Sequence, residues 1–469
     1  MPRRFLTLLP TAMAAGLLLA AALPAHAQSL QELYDAARAY DASYLASRAL
    51  ADSAQYRAEQ SRALARPSAS LAGSATRTET DPPASALNPG GSRVGTTTTA
   101  VTISGRQPLF NRANSATIDQ AEKSLEVARA DLQTAEQDLI VRLAQAYFDV
   151  LVAQDALAAT QANKKAVGEQ LASAKRNFEV GTATITDSRE AQAKFDLATA
   201  QEIATDNDLR AKRIALDQLV GRTNIEPKPL ATPVMLPAVS PANVEEWVAP
   251  SQSSHPSVRR AQLALDIARL ETEKARAGHL PTVDAVGSLG STNARSSGSS
   301  GTTTAASLGV QLNVPLFAGY STQNRIKETL VLEEKSRNDL EAARRAVAQG
   351  TRVAFFGVQS GAAQAKALEA AESSSKLALE ATQLGYRVGV RVNLDVLNAQ
   401  TQLFQTQRDL AKARYDVLVG GLRLRQAAGQ LTAPDIDAVN RLLARLRLRQ
   451  AAGTLQPADI SAVNALLAK

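Results

Sequence analysis

Two carboxylates pose the question of what this chain does. Asp187 closes the phrase "FEVGTATITD" and Asp395 closes "YRVGVRVNLD", and the two stand 208 residues apart. Each follows an aromatic residue, a Val-Gly pair and a short β-branched run, and each leads into an Ala/Gln-rich helical stretch. On spacing alone each Asp reads as a cap on the first turn of a helix. Gly181 and Gly389, at the end of the preceding helical stretches, read as left-handed C-caps.

Other chemistry finds no foothold. His255 and His279, the two histidines after residue 27, each sit beside a proline-marked helix boundary (Pro256, Pro281). A metal site needs converging ligands at regular spacing, and none is present. There is no cysteine, which excludes disulfides, a thiol nucleophile and an acylated N-terminal anchor. Neither a phosphate-binding glycine loop nor a G-x-S-x-G elbow occurs. The chain reads as a protein without catalysis or cofactor. Net charge is +7, yet the basic residues alternate with acids along helices, as in "RIKETLVLEEKSRNDLEAARR", and aromatics make up only 4%. Solvated helix faces account for that pattern, and platforms for stacking nucleic-acid bases are lacking.

What, then, positions the two carboxylates? The phrases belong to a long-period duplication. "AYFDV" (146–150) aligns with "AFFGV" (354–358), "PLFN" (108–111) with "PLFAG" (315–319), and "RPSASLAG" near Pro67 with "LPTVDAVG" near Pro281. The first repeat is expected over 28–225 and the second over 251–430, joined by the Pro-rich linker 226–250. Ahead of them, Arg3, Arg4, an apolar run from Phe5 to Leu23 and Ala25-His26-Ala27 form an export signal over 1–27, cleaved before Gln28.

Within each repeat the periodicity switches. From 113 to 179 there is no proline, and Leu125, Leu132, Leu139, Ala146 and Ala153 recur every seven residues, followed by Leu143, Val150 and Leu157. The stretch 394–427 behaves likewise through Leu403, Leu410, Val417 and Leu424. Sevenfold spacing predicts coiled-coil-like helices over 113–179 and 394–427; the repeat adds helices over 187–220 and 322–388, and a short helix is expected near 41–65. The helix over 113–179 would be a rod roughly 100 Å long.

Before each long helix the period becomes two. Leu308, Val310, Leu312 and Val314 alternate with Ser307, Gly309, Gln311 and Asn313; Val283, Ala285, Gly287 and Leu289 share one face, as do Ala69, Leu71, Gly73 and Ala75. These predict β-hairpins over 66–110 and 281–317, with the Gly/Ser/Thr-rich segments 78–97 and 290–305 as exposed loops. Strands of about 9–11 residues with one apolar face suit an outer-membrane barrel. Two hairpins supply four strands, whereas the smallest bacterial barrels have about eight. Open edges in lipid cost several kcal/mol per unpaired backbone group, so if these strands span a membrane, several chains must share one barrel.

The ordered set "AYFDVLVAQDAL", "FEVGTATITD", "GHLPTVD", "LNVPLFAG", "GYRVGVRVNLDVLNAQ" and "ARYDVL" resembles the TolC-like outer-membrane factors over nearly all of the chain to about residue 443. That resemblance implies a mainly α protein with a transmembrane β part. A homotrimer would form a twelve-stranded barrel, four strands per chain, continuous with a long periplasmic α-helical barrel. It implies a gated exit duct in the outer membrane for type I protein secretion, multidrug efflux or both, in contact with lipid and not with nucleic acid. Its partners would be a periplasmic adaptor and an inner-membrane ABC or RND-type pump. The family's gate network maps onto Thr186, Asp187, Tyr386 and Arg391, and its pore constriction onto Asp395 and Asn398. The constriction often carries two carboxylates three positions apart; here the second is Asn398, which implies one ring of three carboxylates and a weaker cation block. The turns at Gly181 and Gly389 would form the periplasmic tip and meet the adaptor. A periplasmic coiled-coil adaptor or scaffold without a barrel is the alternative, although it would show one helical hairpin between small β domains. The C-terminal segment 431–469 contains a tandem copy: 422–445 recurs as 446–469 with 17 of 24 positions identical.

Overall fold

The computed structural model describes residues 29–81, 93–228, 238–296 and 299–444. The export signal, part of the linker and the second copy of the C-terminal duplication lie outside the described residues. The chain forms two compact units. Among the described residues, one comprises those up to Leu45, those within Ala135–Ser251 and those from Ala348 onward; the other comprises those within Ala46–Thr134 and Gln252–Val347. The fold is mainly helical with one four-stranded antiparallel sheet.

The second unit holds that sheet, with strands β1 (Ser68–Thr80), β2 (Val94–Phe110), β3 (Thr282–Ser296) and β4 (Ser299–Asn313) in the order β1-β2-β3-β4. Alternation sorts the side chains by face. Leu71, Ile103, Leu289 and Ala306 form one cross-strand row, and Ser70, Ser104, Ser288 and Ser307 form a row on the opposite face. The serine Oγ atoms pair at 2.8 Å between Ser70 and Ser104 and again between Ser288 and Ser307. Near the helix end of the sheet the β2–β3 register shifts between Pro108 and Phe110, where proline offers no N–H to the ladder. Beside it the Arg106 guanidinium lies 2.6 Å from Asp284, a buried carboxylate.

The strands run to 13, 17, 15 and 15 residues, longer than expected. Residues 78–80, 94–97 and the described part of 290–305, expected as loop, are strand. The reason lies in Thr96–Thr99 and Thr302–Thr304. Threonine is polar but β-branched, so it continues a ladder that has passed beyond its apolar stretch. In a single chain β1 and β4 each pair on one side only, and Leu308 and Leu312 are 91% and 63% exposed. Helices α2 (Ala42–Arg62), α6 (Pro256–Ala277) and the first turns of α3 (Arg112–Glu179) and α7 (Ser321–Arg387) complete this unit. Arg62 reaches Glu122 at 2.8 Å, and Glu271 accepts from Arg325 at 2.7 Å. His255 caps α6, its Nδ1 accepting from Ser257 N.

The first unit is built from the remainder of α3 and α7 with α1 (Leu30–Tyr40), α4 (Ile185–Val220), α5 (Glu245–Ser254), α8 (Asn393–Ala427) and α9 (Ala433–Ala444). Seam residues Leu139, Leu143 and Val150 are fully buried, each contributing about 1.5–3 kcal/mol. The duplicated aromatic pairs repeat one contact: Tyr147–Phe148 and Phe355–Phe356 are both edge-to-face, at 5.5 and 5.6 Å. Tyr147 and Trp247 also fasten the linker ends. The Tyr147 hydroxyl donates to Lys228 O and accepts from Lys228 N, and Trp247 Nε1 donates to Pro241 O.

Helix α1 is a separate element ahead of the expected short helix. Ser29 and Glu32 form its capping box, and Tyr34 donates to Glu136 at 2.9 Å. Asp41, at the break between α1 and α2, takes two bonds from Arg142 at 3.0 and 3.1 Å and one from Tyr44 N. Burial pushes the Asp41 carboxyl up, but these donors outweigh it and hold it below the usual carboxylate range.

Candidate functional site

The site is the pair of turns joining α3 to α4 and α7 to α8, and both follow from glycine. Gly181 and Gly389 have φ of 80° and 81°, a conformation that carries a steric cost for residues with a Cβ. With the chain turned left-handed, the last carbonyls of each helix find donors. Thr182 N meets Asn177 O at 2.8 Å and Gly181 N meets Phe178 O at 3.0 Å; 208 residues on, Val390 N meets Gly385 O at 2.9 Å and Gly389 N meets Tyr386 O at 3.1 Å. Both are Schellman motifs.

The return helices begin differently. In the first turn Thr184 is the N-cap of α4: its Oγ1 accepts from Asp187 N at 3.2 Å, while Asp187 Oδ2 accepts from Thr184 N and Thr184 Oγ1. Asp187 thus closes a capping box and faces the positive end of α4. In the second turn Val392 occupies the equivalent position and supplies no side-chain bond. Asp395 is released from that duty, and its carboxylate lies 3.5 Å from the Arg391 guanidinium. Both groups are substantially exposed, so this ion pair is weak and exchangeable.

The remaining sequence-derived residues fall close by. Asn177 Nδ2 donates to the Tyr386 hydroxyl at 3.4 Å, a long bond that ties the first turn to the second. Lys194 Nζ donates to Asn398 Oδ1 at 3.1 Å, so the amide that stands in place of a second carboxylate is met by an ammonium group. Thr186 is exposed. Within one chain Asp187 is bonded to Thr184 and Arg391 is paired with Asp395; the two are not brought together. Under the turns, Val167, Leu171, Ala174, Ala191 and Leu397 form a shared core with Phe195 against it. The valines of the second turn face outward, Val388, Val390 and Val392 being 65%, 75% and 57% exposed.

Four participants escape a reading of the sequence: Asn177, Thr184, Lys194 and Gly385. The repeat contains a signal for three of them, since Asn177 aligns with Gly385 and Thr184 with Val392, an exchange of residue type inside otherwise matched phrases. Among the described residues no group of histidines and carboxylates is arranged to hold a metal, and no helix is long and apolar enough to cross a membrane.

Residues 33–222 and 247–430 match the family model described as outer membrane efflux protein. The outer membrane protein TolC of Vibrio cholerae is 33% identical over 420 residues, spanning 88% of this chain and 93% of that protein. The alkaline protease secretion protein AprF of Pseudomonas aeruginosa is 34% identical over 344 residues, spanning 72% and 71%. In fold, the crystal structure of the outer membrane protein VceC from Vibrio cholerae agrees with a TM-score of 0.73 at 19% identity, over 85% of this chain and 96% of that one.

Proposed function

The chain belongs to the outer membrane efflux protein family, a family of passive outer-membrane channels, and on that premise we propose that it is the trimeric exit duct of an export system. Three copies pool their four-stranded sheets into one twelve-stranded barrel in the outer membrane, and the long helices extend into the periplasm. An inner-membrane pump of the ABC or RND type supplies the energy, and a periplasmic adaptor bridges the two. Cargo is a secreted protein, a small toxic compound or both. The similarity to AprF, named for alkaline protease secretion, supports the first.

The observation that carries this reading is the unfinished sheet. It leaves β1 and β4 with free edges and an apolar face around Leu308 and Leu312 in the open. Unpaired strand edges are not tolerated in lipid, and a second and third copy supply the missing partners. At the tip, Arg391 and Tyr386 act with Thr186 and Asp187 as the gate. Each charged member already has a partner in its own turn, Thr184 for Asp187 and Asp395 for Arg391. Closing is therefore an exchange in which Asp187 takes the Arg391 guanidinium from a neighbouring helix pair, a charge-assisted contact. Asp395 contributes the constriction ring, and Lys194 beside Asn398 lowers its pull on cations. The exposed valines of the second turn and the matching turn at Gly181 form the adaptor contact.

Because the chain has no cysteine, double variants with one cysteine on β1 and one on β4 test the barrel directly. Oxidation of outer-membrane fractions is expected to yield covalent trimers for a subset of pairs in one register. A water-soluble monomer that never cross-links, as the adaptor alternative requires, refutes the assignment.

A further inference from the structure

Gly385 lies in the last turn of α7, at an ordinary helical conformation, and nothing about its backbone requires glycine. What surrounds it does. A Cβ built there would lie 2.8 Å from Arg391 Cγ and 3.5 Å from both Arg391 Cβ and Val390 Cγ2. The first of these is closer than real side-chain contacts, and the atom met is near the root of the side chain rather than its flexible end. Nor can residue 391 withdraw, since its amide donates to Gly385 O at 3.2 Å beside that of Val390 at 2.9 Å. The aliphatic stem of Arg391 is laid across the bare Cα of Gly385, and its guanidinium emerges beside Asp395.

The duplicated turn supplies an internal control. There the carbonyl of Asn177 holds Thr182 N at 2.8 Å and Ala183 N at 3.2 Å, the same pair of bonds. Residue 183 is alanine and has no stem to seat, and residue 177 keeps a side chain that reaches Tyr386. Large and small have changed places: Asn177 with Ala183, Gly385 with Arg391. A glycine is kept in the second turn even though alanine is the better helix former.

We infer that Gly385 is a positioning residue, the seat that aims the Arg391 guanidinium at the mouth of the second turn. That a change here alters gating rests on the gate reading above; the seating itself does not.

The test is a double-mutant cycle on full-length trimers, with Gly385→Ala, Arg391→Ala and both together, followed by hydrogen–deuterium exchange of the 385–392 segment and by closed-state conductance. In Gly385→Ala the Val390 and Arg391 amides are expected to exchange about 2- to 10-fold faster, the consequence of driving one side chain off its rotamer. In the Arg391→Ala background the same substitution is expected to slow exchange or leave it unchanged, since only the helix-favouring effect of alanine remains. Slower exchange in both backgrounds, or independent effects of the two substitutions, overturns the seat. Coupled exchange with unchanged conductance in Arg391→Ala sustains the seat and overturns the gate reading. Altered conductance in Arg391→Ala with uncoupled exchange does the reverse.

Discussion

The left-handed glycines make a prediction whose size follows from geometry. At Gly181 an added Cβ would meet nothing within 4 Å, and φ is +80°. Gly181→Ala therefore carries a conformational cost and no steric one, about 1–2 kcal/mol. That cost falls on the bonds from Thr182 N and Gly181 N to the end of α3, so they should open roughly 5- to 30-fold more often. Gly181→Asn should be milder, because asparagine enters the left-handed region more readily than other non-glycine residues. Gly221 provides the contrast. Its φ is +72°, but a Cβ there would lie 2.3 Å from Cγ of the Tyr40 ring, so asparagine should fail as badly as alanine. Hydrogen–deuterium exchange on peptides spanning 177–184 and 217–225 measures both positions in the same sample. If asparagine is as damaging as alanine at 181, or harmless at 221, the separation of backbone cost from steric cost is wrong.

The gate assignment predicts that Arg391→Ser and Tyr386→Phe each raise closed-state conductance in planar bilayers; unchanged conductance removes both from the gate. Asn398→Asp adds a second carboxylate to each subunit beside Lys194. It should strengthen block by multivalent cations by about an order of magnitude, ~1.4 kcal/mol, whereas Asp395→Ala should weaken it. Equal block in wild type and Asp395→Ala counts against the constriction. Truncation after Arg445 removes the second tail copy and should leave export intact; lost export would give that copy a role.

Strong periodicity makes much of the fold legible. Leu308, Val310 and Leu312 alternate too regularly for a helix, and the sevenfold rows through Leu139 and Leu410 are too long for an ordinary bundle. Legibility ends where residue type and environment disagree. Thr96 and Thr97 read as loop because threonine is polar, yet the branched Cβ keeps them in the ladder. Helix α1 does carry a period of its own, Leu30, Leu33, Tyr34 and Ala37 behind the Ser29–Glu32 capping box; what the sequence does not show is its anchorage, Tyr34 to Glu136 and Asp41 to Arg142, which forms only on folding. At the turns the repeat reveals the glycines and both carboxylates but not their partners. Asn177 reaches Tyr386 across 209 residues of chain, and Lys194 reaches Asn398 across 204. No local pattern encodes such meetings. Residue identity also misleads in one respect: Asp187 and Asp395 occupy matched positions, but Thr184 engages the first and Val392 cannot engage the second.

The serine row has a bearing on what can leave the cell. Neutral hydroxyls both give and take hydrogen bonds, much as water does. In the proposed trimer the four per chain would wind around the inner wall as a wetted track of uniform character. A travelling molecule would meet only hydroxyls at that level; the charge on the same face, two residues along β2, is Arg106, already held by Asp284.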